Sequence, residues 1–599
     1  MSTVKLSDYV MQVVAEQGVK HVFMLPGGGA MHLNESLGRR ADLEFVCNLH
    51  EQAVAIAAEA NAKITNKLSV AMVTTGPGGT NAVTGVASAW LDSMPCLVIS
   101  GQVKSDDLKR DSGVRILGVQ EIDIVSIVDS ITKYAVTIED PSTIRFHLEK
   151  AIHLALSGRR GPVWIDIPLD VQAAQIDPAN LPGFSPPAEE SSGDLTGQVS
   201  QLLALLKDAK RPVVVAGYGI RSAGAVPEFH QAMDKLQIPV LTTWLGMDLV
   251  PESHPLYAGR PGSIAPRGAN FTLQNSDLML VIGSRLDMAL TGYAHDKLAR
   301  EAVKVMVDID EAEIRKMKTE IHLPIVADAA AFLHELNGQL GRSELPSYAD
   351  WVKRCQDWKE RYPIVQQEYR DETDGVSTYC LSEALSEELA SEDIVASGSS
   401  GTAVELFLLS FQTKTNQRVL HSRGLGAMGF GLPASIGACL GAGRKRTICV
   451  DGDGSFQMNV QELETMRRLQ LPIKVFVINN EGYASIRSSQ ANYFDHLVVA
   501  DRTSGLSLPS VKDVATAYGL PAFVIESQQD LRQQIRNVLE TPGPVVCEVL
   551  APGSETRAPR LSSMQRPDGS MVSKPLEDLW PFLSRDEFLE NMIVRPIEE

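Results

Sequence analysis

Short runs of valine, isoleucine and leucine alternate along this chain with stretches whose apolar positions recur at helical spacing. The runs at 69–73, 96–100, 163–167, 212–216, 278–282, 303–307, 447–450 and 473–478 are nearly continuous in apolar side chains. Strands of that kind are buried on both faces, as in parallel sheets. Their alternation with helical patterns predicts α/β layers. Near the N-terminus Val10, Val13 and Val14 fall on one helical face, and Ser7 or Asp8 can cap that helix.

Two stretches break the pattern. Residues 176–195 are rich in Pro, Ser, Gly and acid, and residues 341–378 are polar and charged with helical spacing. A chain of 599 residues is too long for one core. These cuts predict three doubly wound parallel-sheet domains, at 1–175, 190–342 and 375–552, and a C-terminal tail at 553–599. The tail lacks strand character. Its apolar cluster Leu576, Leu579, Trp580, Phe582 and Leu583 predicts that it packs down.

The formal net charge of −19 argues against a nucleic-acid or anionic-membrane surface. It leaves room for a phosphorylated small ligand, because backbone amides and a metal can hold phosphate without lysines. The seven cysteines include no CxxC pair and read as small buried hydrophobes in a reducing compartment. With no signal-peptide pattern and no run of 18 apolar residues, a cytoplasmic chain is expected.

The strongest local chemistry is Asp451-Gly452-Asp453-Gly454-Ser455 after one strand and Asn479-Asn480 at the end of the next. One strand–helix–strand crossover separates Asp453 from Asn480, so both fall at carboxyl ends of strands, where open parallel sheets bind ligands. Mg²⁺ takes few hard oxygen ligands from a protein and shares the rest with phosphate and water. Asp453, the Asn480 amide oxygen and the Gly482 carbonyl suit it, while Gly452 and Gly454 let amides approach phosphates. A GDG turn or an NN pair alone is commonly just a turn or a strand end; the two at this spacing are more specific.

The segment GDGSFQMNVQELETMRRLQLPIKVFVINNEGY resembles the thiamine-diphosphate enzymes, and acetolactate synthase in particular, across the whole motif. The resemblance extends through PGGGAMHLNESL, TTGPGGTNAVTGVASAWLDSMPCLVISGQV and QEIDIVSIVDSITKY, reaching about residue 550. It implies that Asp453, Asn480 and Gly482 hold Mg²⁺, and that Pro26, Gly27, Gly28, Gly76, Gly452, Gly454, Ser455 and Tyr483 line thiamine diphosphate. Met428 would prop the bent cofactor and the Gly426 carbonyl would receive its amino group. Glu51, in the segment HEQ, would be the catalytic carboxyl group that shares a proton with the aminopyrimidine ring. A glutamate at a helix start is otherwise a solvated dipole partner. Gln120 and Lys133 match further active-site positions. In the middle block the resemblance places Gly217, Gly219, Arg285, Asp308 and Asp328 along FAD. It also implies that the first and third domains meet across a subunit interface, giving at least a homodimer and, by extension, a homotetramer.

The pattern breaks at three places. Where the family reads roughly GARFDDRVTG, this chain reads GSRLDMALTG, so an arginine that anchors the acceptor's carboxylate is Ala289. Ser489 replaces a tryptophan of the acceptor pocket, and Val119 a phenylalanine. The tail resembles that of flavin-containing carboligases acting on nucleotide-linked keto-sugars. The expected activity is therefore a transferase that decarboxylates pyruvate and adds the two-carbon unit to an acceptor carbonyl that need not belong to a 2-keto acid. The alternatives are an acetolactate synthase condensing two pyruvates, a decarboxylase or flavin-using oxidase, and a non-catalytic flavin- or thiamine-binding regulatory protein.

Overall fold

The computed structural model describes residues 3–187, 193–399, 401–494, 496–565 and 571–597. Residues 188–192 of the Pro-rich linker and 566–570 of the tail lie outside them.

Three parallel six-stranded sheets carry the fold. The first contains His21–Met24, Glu44–Cys47, Ser69–Val73, Cys96–Gln102, Ala135–Thr137 and Val163–Pro168. Numbered along the chain within the domain, its strands lie in the order 2-1-3-4-6-5. The third sheet, Ile394–Ser397, Arg418–Leu420, Thr447–Gly452, Ile473–Asn479, Ala522–Ile525 and Val545–Leu550, repeats that order. The middle sheet, Pro212–Ala216, Val240–Thr242, Tyr257–Gly259, Leu278–Ile282, Val303–Asp308 and Leu323–Val326, runs 3-2-1-4-5-6, the Rossmann order. Central strands such as Leu278–Ile282 are buried along their whole length, as their unbroken apolar composition requires.

The domains meet through small residues and one buried charge cluster. Helix Glu51–Thr65 of the first domain lies on helix Gly431–Gly441 of the third. A Cβ added at Gly437 would stand 2.0 Å from the Ala57 carbonyl oxygen. Farther along the same helix the buried Lys63 ammonium meets Glu59 at 2.7 Å, Asp92 at 2.9 Å and the His421 carbonyl at 2.8 Å.

Several local expectations need correction. Helix Leu6–Glu16 begins after Lys5 with no side-chain cap. Ser7 is instead buried inside the first turn, where Ser36 hydrogen-bonds it and Asp8. The polar 341–378 stretch is not all surface: helix Ala349–Arg361 buries Trp351, Cys355 and Trp358. The tail does form strand, with Ser563–Gln565 paired antiparallel to Met571–Ser573. It packs on the middle domain as expected, with Leu576 and Leu579 buried and Glu577 accepting from Gln274 and Arg300 at 2.7 Å each. Phe582 stays largely exposed. All seven cysteines are free, and among the described residues no helix is long and apolar enough to cross a membrane.

Candidate active site

Three loops at the carboxyl ends of third-domain strands converge. Asp453 follows Thr447–Gly452, is 4% exposed, and accepts the Gly454 and Gly482 N–H groups at 2.8 Å each. Burial pushes its carboxyl up to about 6 against the pull of those two amides. A carboxylate so desolvated is one that a cation would stabilise. Asn480 is nearly buried, and among the described residues nothing hydrogen-bonds its side-chain amide. Gly482 has φ +123°, and a Cβ there would meet the Ala500 carbonyl at 2.5 Å, so only glycine fits the turn. Its carbonyl already takes the Ala484 N–H at 3.1 Å, with a second lone pair left over. Arg487 braces this loop by donating to the carbonyls of Asn480 and Gly553.

The 426–429 loop closes over the same place. The Ser455 hydroxyl accepts the Gly429 N–H at 2.8 Å. A Cβ on Gly454 would lie 2.3 Å from the Tyr483 ring and 3.5 Å from the Met428 methyl. Gly454, Ser455, Tyr483 and Met428 are thus neighbours, while Gly452 faces open space. Gly426 sits at φ +67° in the same loop.

Four strand ends of the first domain form a second cluster. Glu51 opens helix Glu51–Thr65, is 8% exposed, and accepts the Asn81 amide at 3.0 Å. Gly27, after Pro26, packs on Thr74, and Gly28 is open. Gly76, at φ +61°, lies under the Gln120 carbonyl, which would be 2.3 Å from any Cβ. Within one chain no hydrogen bond joins Glu51 to Asp453, Asn480 or Gly482. The segment is held instead by Glu462 of the third domain, which accepts from the Asn48 amide and the Leu49 N–H at 2.8 Å each.

The middle domain borders two adjoining cavities of about 250 and 770 Å³. They share a wall that includes Leu91, Arg159, Arg160, Arg285 and Ala289. Gly219, Asp308 and Asp328 line the first. Burial lifts the Asp308 carboxyl to about 6. Asp328 also caps helix Ala329–Leu340, and Gly217 is outside the lining, packed on Gly283. Lys133 lines the second cavity; burial lowers its ammonium to about 8, and it donates to the Ser157 carbonyl at 2.7 Å. Of the three departures, Ala289 lines both of these cavities, and Val119 and Ser489 line neither. Val119 is 84% exposed beside the exposed Val114, Ile116 and Leu117, and Ser489 is exposed on helix Ala484–Tyr493.

Comparison with known sequences agrees with this geometry. Profiles of the N-terminal TPP binding domain, central domain and C-terminal TPP binding domain of thiamine pyrophosphate enzymes match residues 4–127, 199–336 and 397–549. The acetolactate synthase large subunit of Lactococcus lactis subsp. lactis is 34% identical over 560 residues, covering 93% of this chain and 94% of its own length. The chain belongs to the thiamine-diphosphate-dependent acetolactate synthase family. The Corynebacterium glutamicum large subunit is 33% identical (90% of this chain, 86% of its own), and the Arabidopsis thaliana chloroplastic acetolactate synthase 32% (93% and 83%).

As a member of that family the chain has thiamine-diphosphate-binding first and third domains. Sequence reasoning missed Asn81, which orients Glu51, and Glu462, which holds the Glu51 segment. Asn81 carried a signal, lying four residues into helix Pro77–Leu91, which follows the Gly76 turn. Glu462 carried none: in GDGSFQMNVQELETM it reads as one more charge on a helical face.

Proposed function

We propose that this member of the acetolactate synthase family is a carboligase that decarboxylates pyruvate and transfers the two-carbon unit to the carbonyl of a nucleotide-linked keto-sugar. One observation carries the choice of acceptor. Ala289 lines the shared wall of the two cavities beside Arg285, where acetolactate synthase would present a guanidinium fork to a 2-keto acid's carboxylate. A methyl group cannot do that.

In this reading Asp453, Asn480 and the Gly482 carbonyl hold Mg²⁺, an oxygen donor set of the kind it shares with a diphosphate. Thiamine diphosphate, when bound, supplies the electron sink for decarboxylation. Glu51, buried and oriented by Asn81, would hold a proton at its carboxyl for the cofactor's aminopyrimidine ring. Met428 and Tyr483, packed about Gly454, fix the cofactor's shape, and Gly426 offers its carbonyl. Gln120 and Lys133 face the substrates. FAD fits the cavity lined by Gly219, Arg285, Asp308 and Asp328: the Rossmann strand order and the half-buried Asp308 carboxyl at a strand end suit a ribose hydroxyl partner. We infer a homodimer at least, and a homotetramer built from dimers. The exposed apolar side chains around Val119 support a second copy completing each site.

Incubating the purified protein with labelled pyruvate and a panel of acceptors, nucleotide-4-keto-sugars included, and weighing the product tests this directly. Acetolactate as the sole product would favour the competing reading, condensation of two pyruvates, which the relatives' names support. Glu51→Gln should abolish CO₂ release while Mg²⁺ and thiamine diphosphate still bind; full activity would refute its role. Ala289→Arg should improve use of 2-keto-acid acceptors.

A further inference from the structure

The C-terminal segment runs along the wall that Ala289 belongs to. The buried Tyr379 hydroxyl anchors it, lying 2.9 Å from the Thr556 carbonyl and accepting the Ala558 N–H at 2.9 Å. Arg560 exchanges backbone hydrogen bonds of 2.9 and 2.8 Å with Trp580 and is bridged to Ile264. Leu561 donates to the Ser263 carbonyl at 2.6 Å, and Ser263 donates to the Ala289 carbonyl at 2.7 Å. Ser263 and Ile264 line the first cavity. Arg560 is therefore one strand away from the position where the family's carboxylate anchor is missing.

The Arg560 side chain is half-buried and stacks over the Trp580 ring at 5.2 Å. Among the described residues its guanidinium has no hydrogen-bond acceptor and no ion-pair partner. Arg557, its near neighbour, is already paired with Glu405 at 2.6 Å. Burial, and then the charge of Arg557, pull Arg560 below the usual arginine range. A planar fork stacked on an aromatic ring, partly withdrawn from water and lacking a counter-ion, is poised for a bidentate anion.

We propose that Arg560 binds the phosphate or diphosphate ester of the acceptor, moving the anionic anchor from the cavity wall at Ala289 to the neighbouring strand. The displacement has a chemical logic. In a 2-keto acid the anion is bonded to the reacting carbonyl carbon, whereas in a nucleotide-linked sugar it lies several bonds farther away. The inference rests on the nucleotide-linked acceptor proposed above and identifies the side chain that would recognise it.

The same chemistry is present in the diphosphates of the two cofactors, so the test must separate them. Calorimetric titration of the holoenzyme with uridine, thymidine, guanosine and cytidine diphosphates would be run on wild type, Arg560→Ala and Arg560→Lys, with thiamine and flavin content measured for each. The expected result is binding of at least one nucleoside diphosphate by wild type, weakened about 10- to 100-fold in Arg560→Ala. Arg560→Lys, which keeps the charge but loses the fork, should fall between them, and cofactor content should not change. Equal affinity in all three proteins would overturn the Arg560 assignment and leave the acceptor reading standing. Loss of a cofactor in place of nucleotide affinity would also overturn it. A wild type that binds none of the four, yet joins labelled pyruvate to an uncharged aldehyde, would remove the nucleotide-linked acceptor itself. If Arg560→Ala does not fold, undiminished affinity in Arg560→Lys overturns the fork.

Discussion

Replacing Gly437 with alanine tests whether the contact between the first and third domains sets the position of Glu51. The added Cβ would stand 2.0 Å from the Ala57 carbonyl oxygen, 2.7 Å from its carbon and 2.9 Å from the Ala57 Cα. A relaxed C···O contact is about 3.3 Å, so the two helices must part by roughly 1.3 Å. The obstacle is backbone, with no rotamer to turn aside. Overpacking of this kind costs about 1–3 kcal/mol, which lowers the melting temperature by about 2–12 °C for a domain of this size. The larger effect falls on chemistry. Glu51 lies less than two turns from Ala57 on the same rigid helix, and a displacement of about 1 Å at a reacting group can cost about 100-fold in rate. Differential scanning fluorimetry and CO₂ release from pyruvate measure the two effects. A Gly437→Ala protein with wild-type melting temperature and turnover would refute both the packing argument and its link to Glu51.

Other positions test the same physics with different signs. Gly338 is exposed within helix Ala329–Leu340, and a Cβ there meets nothing within 4 Å, so Gly338→Ala should stabilise by about 0.5–1 kcal/mol. Lys63→Met takes the ammonium away from two buried carboxylates, Glu59 and Asp92, of which Asp92 keeps Arg285 at 3.8 Å, and should cost about 3–5 kcal/mol; adding Glu59→Gln should recover most of it in urea or thermal melts. Burial, reinforced by the charges of Lys63 and Arg423, pushes His421 down to about 4 from an ordinary 6.5. The unfolded chain therefore takes up that proton first, and the stability His421 contributes is intact above pH 6.5 and lost as pH falls toward 4. Melting curves from pH 7.5 to 4.5 should be less pH-dependent in His421→Gln.

What could be read from sequence follows the range of the interactions involved. The Asp453–Asn480 pair was legible because one crossover joins them and local pattern fixes both strand ends. The hold of Glu462 on the Glu51 segment was not, because its partners Asn48 and Leu49 lie more than 400 residues away and no periodicity records that pairing. Ser7 looks like a cap by type, yet burial against Ser36 claims its hydroxyl. The resemblance places Val119 and Ser489 in a pocket, yet in the single chain both lie on the surface, a burial state that local pattern does not record.

The helix that carries Glu51 also has a history during synthesis. Its partner, Gly431–Gly441, is made about 370 residues after Thr65. At about 5–20 residues per second the ribosome needs roughly 20–75 s to close that gap. Through that interval the first domain can fold while the alanine-rich face of Glu51–Thr65 waits uncovered.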